Sequence, residues 1–514
     1  MNHFEPTRQL PLVVPLPEHV TPGDAFRSLG VYPNRLWLDS ATGWPAARSD
    51  SVEELVRGLS RYSFVTAAPL TVLQASPEDP SPWDELNQLA AWLPSTIQEG
   101  LPPFQGGIAG LLGYEAARWL PELELAGSFE HQRDEWATPA CSLGFYDWVI
   151  AFDHLVGKAW LICQGFTDED VRKRQHPSLA ARYDQARRRV CEVLDVLDQG
   201  SNNRDSVAFT VFPIDEGYET PFDALRSNFS SDGYRAMVAD IVERIRSGDS
   251  FQVNVAQQLS CGWEGEIETL YESLRHANPA PFGAFYDTGR VQVLSTSPER
   301  FLSVRDRVVQ TRPIKGTVAR TGNVASDGRL AENLLRSEKD RAENTMIVDL
   351  MRNDLSRVCD DASVVVKQLC QVERYQFVQH LVSVVEGQLR NDASCVDLLR
   401  ACFPGGSVTG APKTEAMRTI AALEPHTRGP YCGTIGYLGC GGNVDFNILI
   451  RTLTVEPGRL RFQVGGGITA RSIPEAEEAE TWTKARGILK ALEHAGHQAV
   501  TGGQLEVAKG RRSG

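Results

Sequence analysis

The chain has 514 residues, of which 42% are hydrophobic, 23% charged and 8% aromatic, and its formal net charge is −14. This composition is that of a globular protein of about two to four domains. An acidic chain without a basic stripe is not a general nucleic-acid-binding protein, and no run approaches the ~18 apolar residues of a membrane helix. We therefore expect neither a nucleic-acid partner nor a membrane partner.

The cysteines and the N-terminal stretch indicate the compartment. Ten cysteines are scattered without a C-x-x-C pair, and the sequence has no H-E-x-x-H motif. Free thiols without zinc-site spacing are typical of a reducing compartment. The stretch MNHFEPTRQLPLVVPLPEHV lacks the basic segment and the long apolar run of a signal peptide. We expect a cytoplasmic protein.

The first part of the chain mixes short strands and helices. The segment TPACSLGFYDWVIAFDHLVGKAWLICQG predicts strands joined by a turn near residues 154–157, and the apolar residues from Leu179 to Leu197 have helical spacing. The polar stretch LDQGSNNRDS that follows has the composition of a loop. We therefore predict a first region at 1–200, a linker at 201–227, a second region at 228–495 and a disordered tail at 496–514.

The second region combines helical and strand patterns. Apolar residues four apart from Met237 to Ile245 predict a helix with its N-cap at Ser231. A single long helix is predicted from about 328 to 355, and a capping box from Ser472 to Glu475 predicts the start of a later one. Strand patterns occur at RVQVLST, RVVQTRPI, GTIGYL, NVDFNILIRTL and RLRFQVGGGI. Strands mixed with long helices, without strict alternation, predict an α+β fold.

Two glycine-rich segments are candidates for ligand contact. The segment FPGGSVTGAPKTEAM (403–417) lacks the Gly-Lys-Ser/Thr of a phosphate loop. Glycines ahead of a helix N-terminus nevertheless present backbone N–H groups to an anion, and a carboxylate is bound as well as a phosphate. The segment GGGI (465–468) would bring a second backbone close to a ligand. Tight loops with structural glycines explain both segments equally well.

Two acidic pairs have the spacing of neighbours on one helix face. They are Asp340 with Glu343, and Glu477 with Glu480. Each pair alone fits a solvated helix surface. If the pairs face each other they require a cation, and hard oxygen ligands suit Mg²⁺.

Lys315, in TRPIKGT, is either a solvated turn residue or a nucleophile. A nucleophilic amine must be neutral, and lowering its pKa from ~10.4 to near 7 requires destabilising the ammonium by roughly 4 kcal/mol, through burial or a neighbouring cation. His380 lies among apolar residues in YQFVQHLVSVVEG. It fits either a core histidine or an acid–base group that titrates near neutrality.

The order of the motifs resembles the chorismate-utilising enzymes, the family of anthranilate synthase component I. The motifs are PPFQGGIAGLLGYE, GDSFQVNVAQQL, LSTSPERF, TRPIKGT, EKDRAENTMIVDLMRNDL, QHLVS, FPGGSVTGAPK, YCGTIGYLG and EAEEAETWTKA. The resemblance implies that family's α+β fold, with antiparallel sheets packed as a sandwich and helices on the outside. It also implies an anthranilate-synthase-component-I-like region at 1–200 and a chorismate-binding catalytic region at 228–495.

Two positions distinguish between the branches of the family that this sequence resembles. Relatives that add water carry a lysine where this chain has Gln252, and anthranilate-forming relatives read P-I-A-G-T where it has Lys315. The lysine resembles the folate branch, in which it attacks C2 of chorismate and ammonia then enters at C4 to give 4-amino-4-deoxychorismate. The alternatives are an anthranilate-forming enzyme, a non-catalytic regulatory paralogue that binds chorismate or tryptophan, and a pyridoxal-phosphate enzyme with Lys315 as its Schiff base.

The resemblance also implies roles for individual residues. Lys315, Glu299 and His380 would be catalytic, with Glu299 as the acid–base partner at the ring hydroxyl. Mg²⁺ would be bound directly by Glu343 and Glu480, and through water by Asp340 and Glu477. Chorismate would be held by Gln252, Ser407, Tyr431, Arg451, Gly465, Gly466, Gly467 and Lys484.

The source of ammonia is predicted to lie outside this chain. None of the cysteines stands in a G-x-C-x-G-H glutaminase motif, so we expect a separate glutamine amidotransferase subunit to supply ammonia. No length remains for a fused lyase, so the expected product is aminodeoxychorismate. The segments LDSA, RYSF and NPAPF are the nearest matches to the family's tryptophan-binding segments.

Overall fold

The structure is a computed structural model that describes residues 9–40, 58–125, 127–136, 138–200 and 216–496. No helix in these ranges is both long enough and apolar enough to cross a bilayer. Their α-helices are α1 (Pro22–Ser28), α2 (Trp83–Trp92), α3 (Asp168–Lys173), α4 (Leu179–Gln199), α5 (Ser231–Ser247), α6 (Ile267–Ala277), α7 (Val324–Arg336), α8 (Glu338–Ser356), α9 (Cys395–Cys402), α10 (Lys413–Leu423) and α11 (Pro474–His494).

The strands form two large sheets. The first sheet contains, in spatial order, β1 (Leu12–Pro15), β8 (Lys158–Cys163), β7 (Trp148–Asp153), β3 (Tyr62–Thr66), β2 (Leu36–Asp39), β12 (Phe282–Asp287), β13 (Gln292–Ser297), β22 (Thr452–Glu456), β23 (Arg459–Ile468), β11 (Gln252–Gly262), β10 (Arg226–Ser227) and β9 (Tyr218–Glu219), with β19 (Gly410–Ala411) also on β11. The second contains β16 (Ile314–Ala319), β18 (Val378–Gln388), β15 (Val308–Thr311), β14 (Arg300–Arg305), β21 (Val444–Asn447), β20 (Thr434–Gly439), β5 (Gly107–Leu112), β6 (Cys141–Tyr146) and β4 (Thr71–Ala75), with β17 (Val365–Arg374) also on β18.

The two sheets pack face to face, and helices cover their outer faces. Phe64 and Tyr286 of the first sheet share one buried cluster with Tyr437 of the second, which places that cluster between the sheets. Ile488 of α11 packs on the first sheet, and Ile347 of α8 packs on the second. Strand pairs throughout both described sheets are antiparallel, for example β11 with β23 and β5 with β20. The predicted α+β sandwich with external helices is confirmed.

The predicted regions share both sheets. Strand β2 pairs with β12 of the second region, and β5 pairs with β20. The predicted boundaries therefore do not separate two independent sheets, and they stay predictions as functional divisions. Within the predicted linker, the described residues 216–227 contribute β9 and β10, while 201–215 lie outside the described residues, as do 497–514 of the predicted tail.

Three helix predictions have different outcomes. Helix α5 is confirmed, although its N-cap is Ser230, one residue earlier than predicted. The single helix from about 328 to 355 is wrong, because Ser337 leaves the helical conformation between α7 and α8 and its side chain accepts a hydrogen bond from Asp340 N. The capping box at Ser472 is also wrong, because Ser472 Oγ donates to Glu477 and α11 begins at Pro474.

Candidate functional site

Lys315 lies in an irregular part of β16. The pairing of β16 with β18 shifts register between Ile314 and Thr317, so Lys315 and Gly316 form a bulge. Gly316 has a φ of 81°, and a Cβ at this position would lie 3.0 Å from the Asp340 carboxyl carbon. A bulge changes the direction of a side chain, and glycine fits both the left-handed backbone and the close approach. The glycine after the lysine therefore helps to set the direction of the Lys315 side chain.

The Lys315 amine is surrounded by charges of both signs. Its Nζ donates a hydrogen bond of 2.9 Å to the Ser407 carbonyl oxygen. Burial lowers the pKa of Lys315 below its ordinary value, the carboxylates of Glu343 and Glu299 act against this change, and the Lys484 ammonium adds to it. The net effect favours the neutral amine, which is the form that a nucleophile requires.

Glu299 is buried beside Lys315, with 4% of its surface exposed. It lies between β13 and β14, and Ile314 N donates a hydrogen bond of 3.4 Å to its Oε1. Burial raises the pKa of the Glu299 carboxyl, and the Ser407 side chain, the Lys315 charge and the Ile314 N–H only partly offset that rise. A carboxyl group with a raised pKa retains a proton that it can donate. Glu299 therefore has the environment of a general acid next to the amine.

His380 is a buried neutral imidazole. It faces Thr317 across the pairing of β16 and β18, with 2.8 Å between the threonine Oγ1 and His380 Nδ1. Burial, together with the charge of Arg451, lowers the pKa of His380 to about 3. Of the two readings of His380, these surroundings favour the core histidine, because burial disfavours the imidazolium. Its Nε2 has no hydrogen-bond partner among the described residues, so it can contact a ligand, and its catalytic role stays a prediction.

The two acidic pairs face each other across Lys339. Lys339 Nζ lies 3.9 Å from Glu343 Oε1 on α8 and 3.8 Å from Glu477 Oε1 on α11. Burial raises the pKa of Glu343 against the effects of Lys315 and Lys339, and the nearby Asp340 and Glu477 raise it further. Helical spacing alone could not show that these pairs meet. The fold brings them together.

Glu480 and Lys484 complete this side of the site. Lys484 Nζ lies 2.8 Å from Glu480 Oε1 and donates a hydrogen bond of 2.6 Å to the Gly465 carbonyl oxygen. Burial raises the pKa of Glu480, but the ammonium groups of Lys484 and Lys339 outweigh it and leave that pKa below its usual value. A Cβ on Gly466 would lie 3.4 Å from Lys484 Nζ and 3.7 Å from Glu480 Oε1.

The carboxylates fit the chemistry of a magnesium site. They offer hard oxygen donors, and the buried Glu343 Oε1 accepts no hydrogen bond from any described residue. Within the described ranges, no three His, Cys, Asp or Glu side chains converge as a ready-made metal cluster. The Lys339 ammonium supplies the positive charge between the two helices in this structure. The predicted metal ligands therefore lie close together without forming a pre-arranged coordination shell.

Gln252 packs against the glycine-rich strand β23. Both polar atoms of its buried side chain have no hydrogen-bond partner within the described part of the chain. A Cβ on Gly467 would lie 1.9 Å from Gln252 Nε2, and one on Gly465 would lie 2.0 Å from the Val255 carbonyl oxygen. The glycines are needed for this close packing. A buried amide without hydrogen-bond partners destabilises the folded protein. A ligand that forms hydrogen bonds with the Gln252 amide would remove this cost.

Arg451 carries a partly buried charge that no described residue pairs. Its backbone is left-handed, with a φ of 52°, and its carbonyl oxygen accepts a hydrogen bond of 3.2 Å from Thr296 N. Burial lowers the pKa of its guanidinium, and no group in the described ranges forms an ion pair or hydrogen bond with that guanidinium. Guanidinium groups bind carboxylates with two parallel hydrogen bonds. Arg451 is therefore suited to an anionic ligand.

Ser407 and Tyr431 lie in buried segments beside this cluster. The predicted glycine-rich segment 403–417 does lead into a helix, α10, with Pro412 at its N-cap. Ser407 lies in a 3₁₀ turn within this segment and provides the carbonyl oxygen that Lys315 contacts. Burial raises the pKa of the Tyr431 hydroxyl, which is therefore a neutral donor, and Tyr431 N bonds to the Arg428 carbonyl oxygen at 3.3 Å.

Sequence reasoning missed three residues near the site. Thr317 belongs to the motif TRPIKGT, and Lys339 immediately precedes Asp340, one of the predicted metal ligands. Their roles depend on contacts across strands and helices, which sequence spacing does not give. Arg428 is a charged residue with 1% exposure, and its polar sequence surroundings, EPHTRGPY, give no sign of this burial.

A separate cavity of about 190 Å³ is lined by residues from the three segments that resemble tryptophan-binding segments. Its lining includes Ser40, Tyr62 and Pro281, one from each of LDSA, RYSF and NPAPF. Arg300 and Tyr437 also line it. The three segments therefore meet in space, although Ala41 lies outside the described residues.

Comparison with known proteins agrees with the motif order. A family model for chorismate binding enzymes matches residues 34–490. The chain is 38% identical over 450 residues to aminodeoxychorismate synthase component 1 of Escherichia coli K12, covering 84% of this chain and 90% of that protein. It is 36% identical over 446 residues to anthranilate synthase component 1 of Streptomyces coelicolor, covering 85% and 82%.

Solved structures share the fold. Anthranilate synthase component I from Streptococcus pneumoniae TIGR4 aligns with a TM-score of 0.66 at 29% identity, over 87% of this chain and 94% of that chain. The menaquinone-specific isochorismate synthase from Escherichia coli aligns with a TM-score of 0.65 at 20% identity, over 94% of each chain. The family match and the sequence identities together show that this chain belongs to the family of chorismate binding enzymes.

Proposed function

We propose that this chain is component 1 of an aminodeoxychorismate synthase, which converts chorismate and ammonia into 4-amino-4-deoxychorismate for folate biosynthesis. The observation that carries the proposal is Lys315, an amine with a lowered pKa, held in a bulge beside the protonatable Glu299. The identity of 38–40% to curated proteins named aminodeoxychorismate synthase component 1 supports it. A lysine nucleophile divides one difficult substitution into two.

In the first step, the Lys315 nitrogen forms a bond to C2 of chorismate. The ring double bonds shift, the C4–O bond breaks, and Glu299 gives its proton to the departing hydroxyl, which leaves as water. In the second step, ammonia forms a bond to C4, the double bonds shift back and the C2–N bond to Lys315 breaks. The excess proton on the new amine returns to Glu299 or to solvent. Each step forms one bond and breaks one, so no oxidant or reductant is needed.

Chorismate is a dianion, and the acidic chain must bind it with local positive groups. The unpaired Arg451 guanidinium would hold one carboxylate, with the neutral Tyr431 hydroxyl as a further donor. The Gln252 amide and the backbone of Gly465–Gly467 would contact the rest of the substrate. Charge-assisted hydrogen bonds of this kind position an anion and exclude water from the reacting centre.

We propose Mg²⁺ as the cofactor. Glu343 and Glu480 would bind it directly, and Asp340 and Glu477 through water. When bound, the ion would neutralise a carboxylate of the substrate. The unsatisfied Glu343 oxygen and the all-carboxylate donor set support this assignment.

We also propose a glutamine amidotransferase partner and a cytoplasmic location. The relatives are named component 1, which implies a further component. Free thiols throughout the described part of the chain fit a reducing compartment.

The test compares the wild type with Lys315→Ala in the presence of chorismate, Mg²⁺ and ammonium. The matched control is Lys367→Ala, which removes an exposed lysine in an ion pair with Glu386. We expect formation of the C4-aminated product to fall at least a thousandfold for Lys315→Ala and to stay unchanged for the control. C4 amination at the wild-type rate by Lys315→Ala would contradict the nucleophile assignment.

A further inference from the structure

A fully buried arginine joins the segments that carry the substrate-binding residues. The Arg428 guanidinium forms a two-point ion pair with Glu424, with Nε 2.9 Å from Oε2 and Nη2 2.7 Å from Oε1. It also donates hydrogen bonds to two backbone carbonyl oxygens, 3.1 Å to Val408 and 2.6 Å to Asn254. One side chain therefore connects α10's C-terminal end, the glycine-rich turn and strand β11.

The two carbonyl contacts lie next to residues of the site. Val408 follows Ser407, whose carbonyl oxygen holds Lys315 Nζ at 2.9 Å. Asn254 is two residues from Gln252 on the same strand, so the two side chains point to the same face. Displacing Arg428 would therefore move the lysine's acceptor and the Gln252 amide together.

The backbone of Arg428 reaches two further segments. Its carbonyl oxygen accepts hydrogen bonds from Tyr431 N at 3.3 Å and from Gln463 Nε2 at 3.1 Å. Gln463 is two residues before Gly465 on β23. The Gly465 carbonyl oxygen accepts the hydrogen bond from Lys484 Nζ. Glu115, from the first region of the chain, accepts hydrogen bonds from Arg428 N at 2.8 Å and from the next N–H at 2.9 Å.

We propose that the Arg428–Glu424 pair is the positioning element that sets the relative placement of the Ser407 turn, the Gln252 strand, the Tyr431 loop and the Gly465 strand around chorismate. Arg428 acts through these segments and does not contact the reacting atoms. Its planar guanidinium donates hydrogen bonds to three separate acceptor groups at once. A lysine ammonium is a single point donor and cannot reach all three. The inference rests on the proposed function only where KM and kcat are measured. The Kd for chorismate does not depend on it, because chorismate binding is a property of the family.

The test substitutes Arg428→Lys and uses Arg275→Lys as its matched control. Arg275 also forms a two-point ion pair with a buried carboxylate, Asp39, through hydrogen bonds of 2.7 and 3.2 Å, and it donates a third hydrogen bond of 2.9 Å to Glu272; neither partner is next to a proposed substrate ligand. Chorismate affinity is measured by calorimetry, KM and kcat by product formation, and the folded fraction by urea unfolding. A loss of folded protein lowers the apparent kcat and leaves KM unchanged, whereas displaced binding segments raise KM and Kd.

We expect Arg428→Lys to raise the Kd and KM for chorismate at least tenfold, and Arg275→Lys to leave both within twofold of wild type. If Arg428→Lys does not fold, Glu424→Asp keeps the charge pair but shortens one partner, and we expect a smaller rise in the same two constants. Wild-type Kd and KM in the folded variant would overturn the proposal, as would equal rises in the two arginine variants. If the wild type binds chorismate but forms no C4-aminated product, the proposed function fails, and the Kd still decides the role of Arg428.

Discussion

Replacing Arg451 with methionine should change activity and stability in opposite directions. Arg451 holds a partly buried guanidinium that no group in the described ranges balances with an ion pair. The folded protein therefore keeps a desolvated charge that is useful only when an anion is bound. Methionine has a similar length, removes the charge and has no polar group to satisfy. The left-handed backbone at this position is equally unfavourable for both residues, so it cancels from the comparison.

The magnitudes follow from the contacts. Losing the guanidinium from a desolvated carboxylate pair costs about 2–5 kcal/mol, which lowers kcat/KM roughly 30-fold to several thousandfold. Removing an uncompensated charge from a partly buried position should raise the free energy of unfolding by about 1 kcal/mol. Arg275 is the opposite case, because it binds Asp39, which is 3% exposed, through hydrogen bonds of 2.7 and 3.2 Å. Arg275→Met leaves that carboxylate unpaired and should cost about 3 kcal/mol.

The assay measures both quantities on the same preparations. Equilibrium unfolding in urea gives the midpoint for the wild type, Arg451→Met and Arg275→Met, and product formation gives kcat/KM. We expect a higher midpoint with lost activity for Arg451→Met, and a lower midpoint for Arg275→Met. Two results would contradict this account of Arg451. One is an Arg451→Met variant that is less stable than the wild type by more than about 1 kcal/mol, and the other is wild-type kcat/KM in that variant.

Three further predictions concern buried ionisable groups. Because Lys315 must be neutral and Glu299 must be protonated, kcat/KM should pass through a maximum as the pH rises, and since burial lowers the pKa of Lys315 this maximum should lie below the lysine's ordinary pKa of 10.5; a pH–rate profile checks this. Burial raises the pKa of Glu115 from 4.5 to about 7, so the folded protein binds its proton more tightly than the unfolded chain does, and about 3 kcal/mol of stability present below pH 4.5 should be lost as the pH rises to 7. Glu115→Gln should flatten this part of a plot of urea midpoint against pH, and an unchanged slope would refute the assignment. Lys413→Met should cost about 3 kcal/mol by urea unfolding, because it removes the partner 2.7 Å from the buried Asp354 carboxylate and leaves the more distant Arg357 guanidinium at 3.9 Å; a cost below 1 kcal/mol would contradict this.

The local motifs named residues that the fold brings together, and they missed a break in the helices that carry them. Lys315 with Gly316, and the acidic residues at helical spacing, are short-range patterns whose chemistry can be recognised before the fold is known. The break at Ser337 was missed because the helical pattern continues on both sides and a single side-chain cap interrupts it.

Long-range features could not be predicted from the chain alone. Strand β5 pairs with β20, which lies more than 300 residues later, and no local pattern specifies that pairing. The low pKa of His380 depends on burial by several elements, and the role of Arg428 depends on acceptors from three separate segments. These properties arise from tertiary packing, which overrides the tendencies of short segments.

The most direct test of the account is the position of nitrogen in the product. Wild-type protein is incubated with chorismate, Mg²⁺ and ¹⁵N-labelled ammonium, and the product is identified by mass spectrometry and nitrogen-edited NMR. We predict label at C4, in 4-amino-4-deoxychorismate. Label at C2, in anthranilate or its precursor, would contradict the account and would leave Lys315 without a role as the nucleophile.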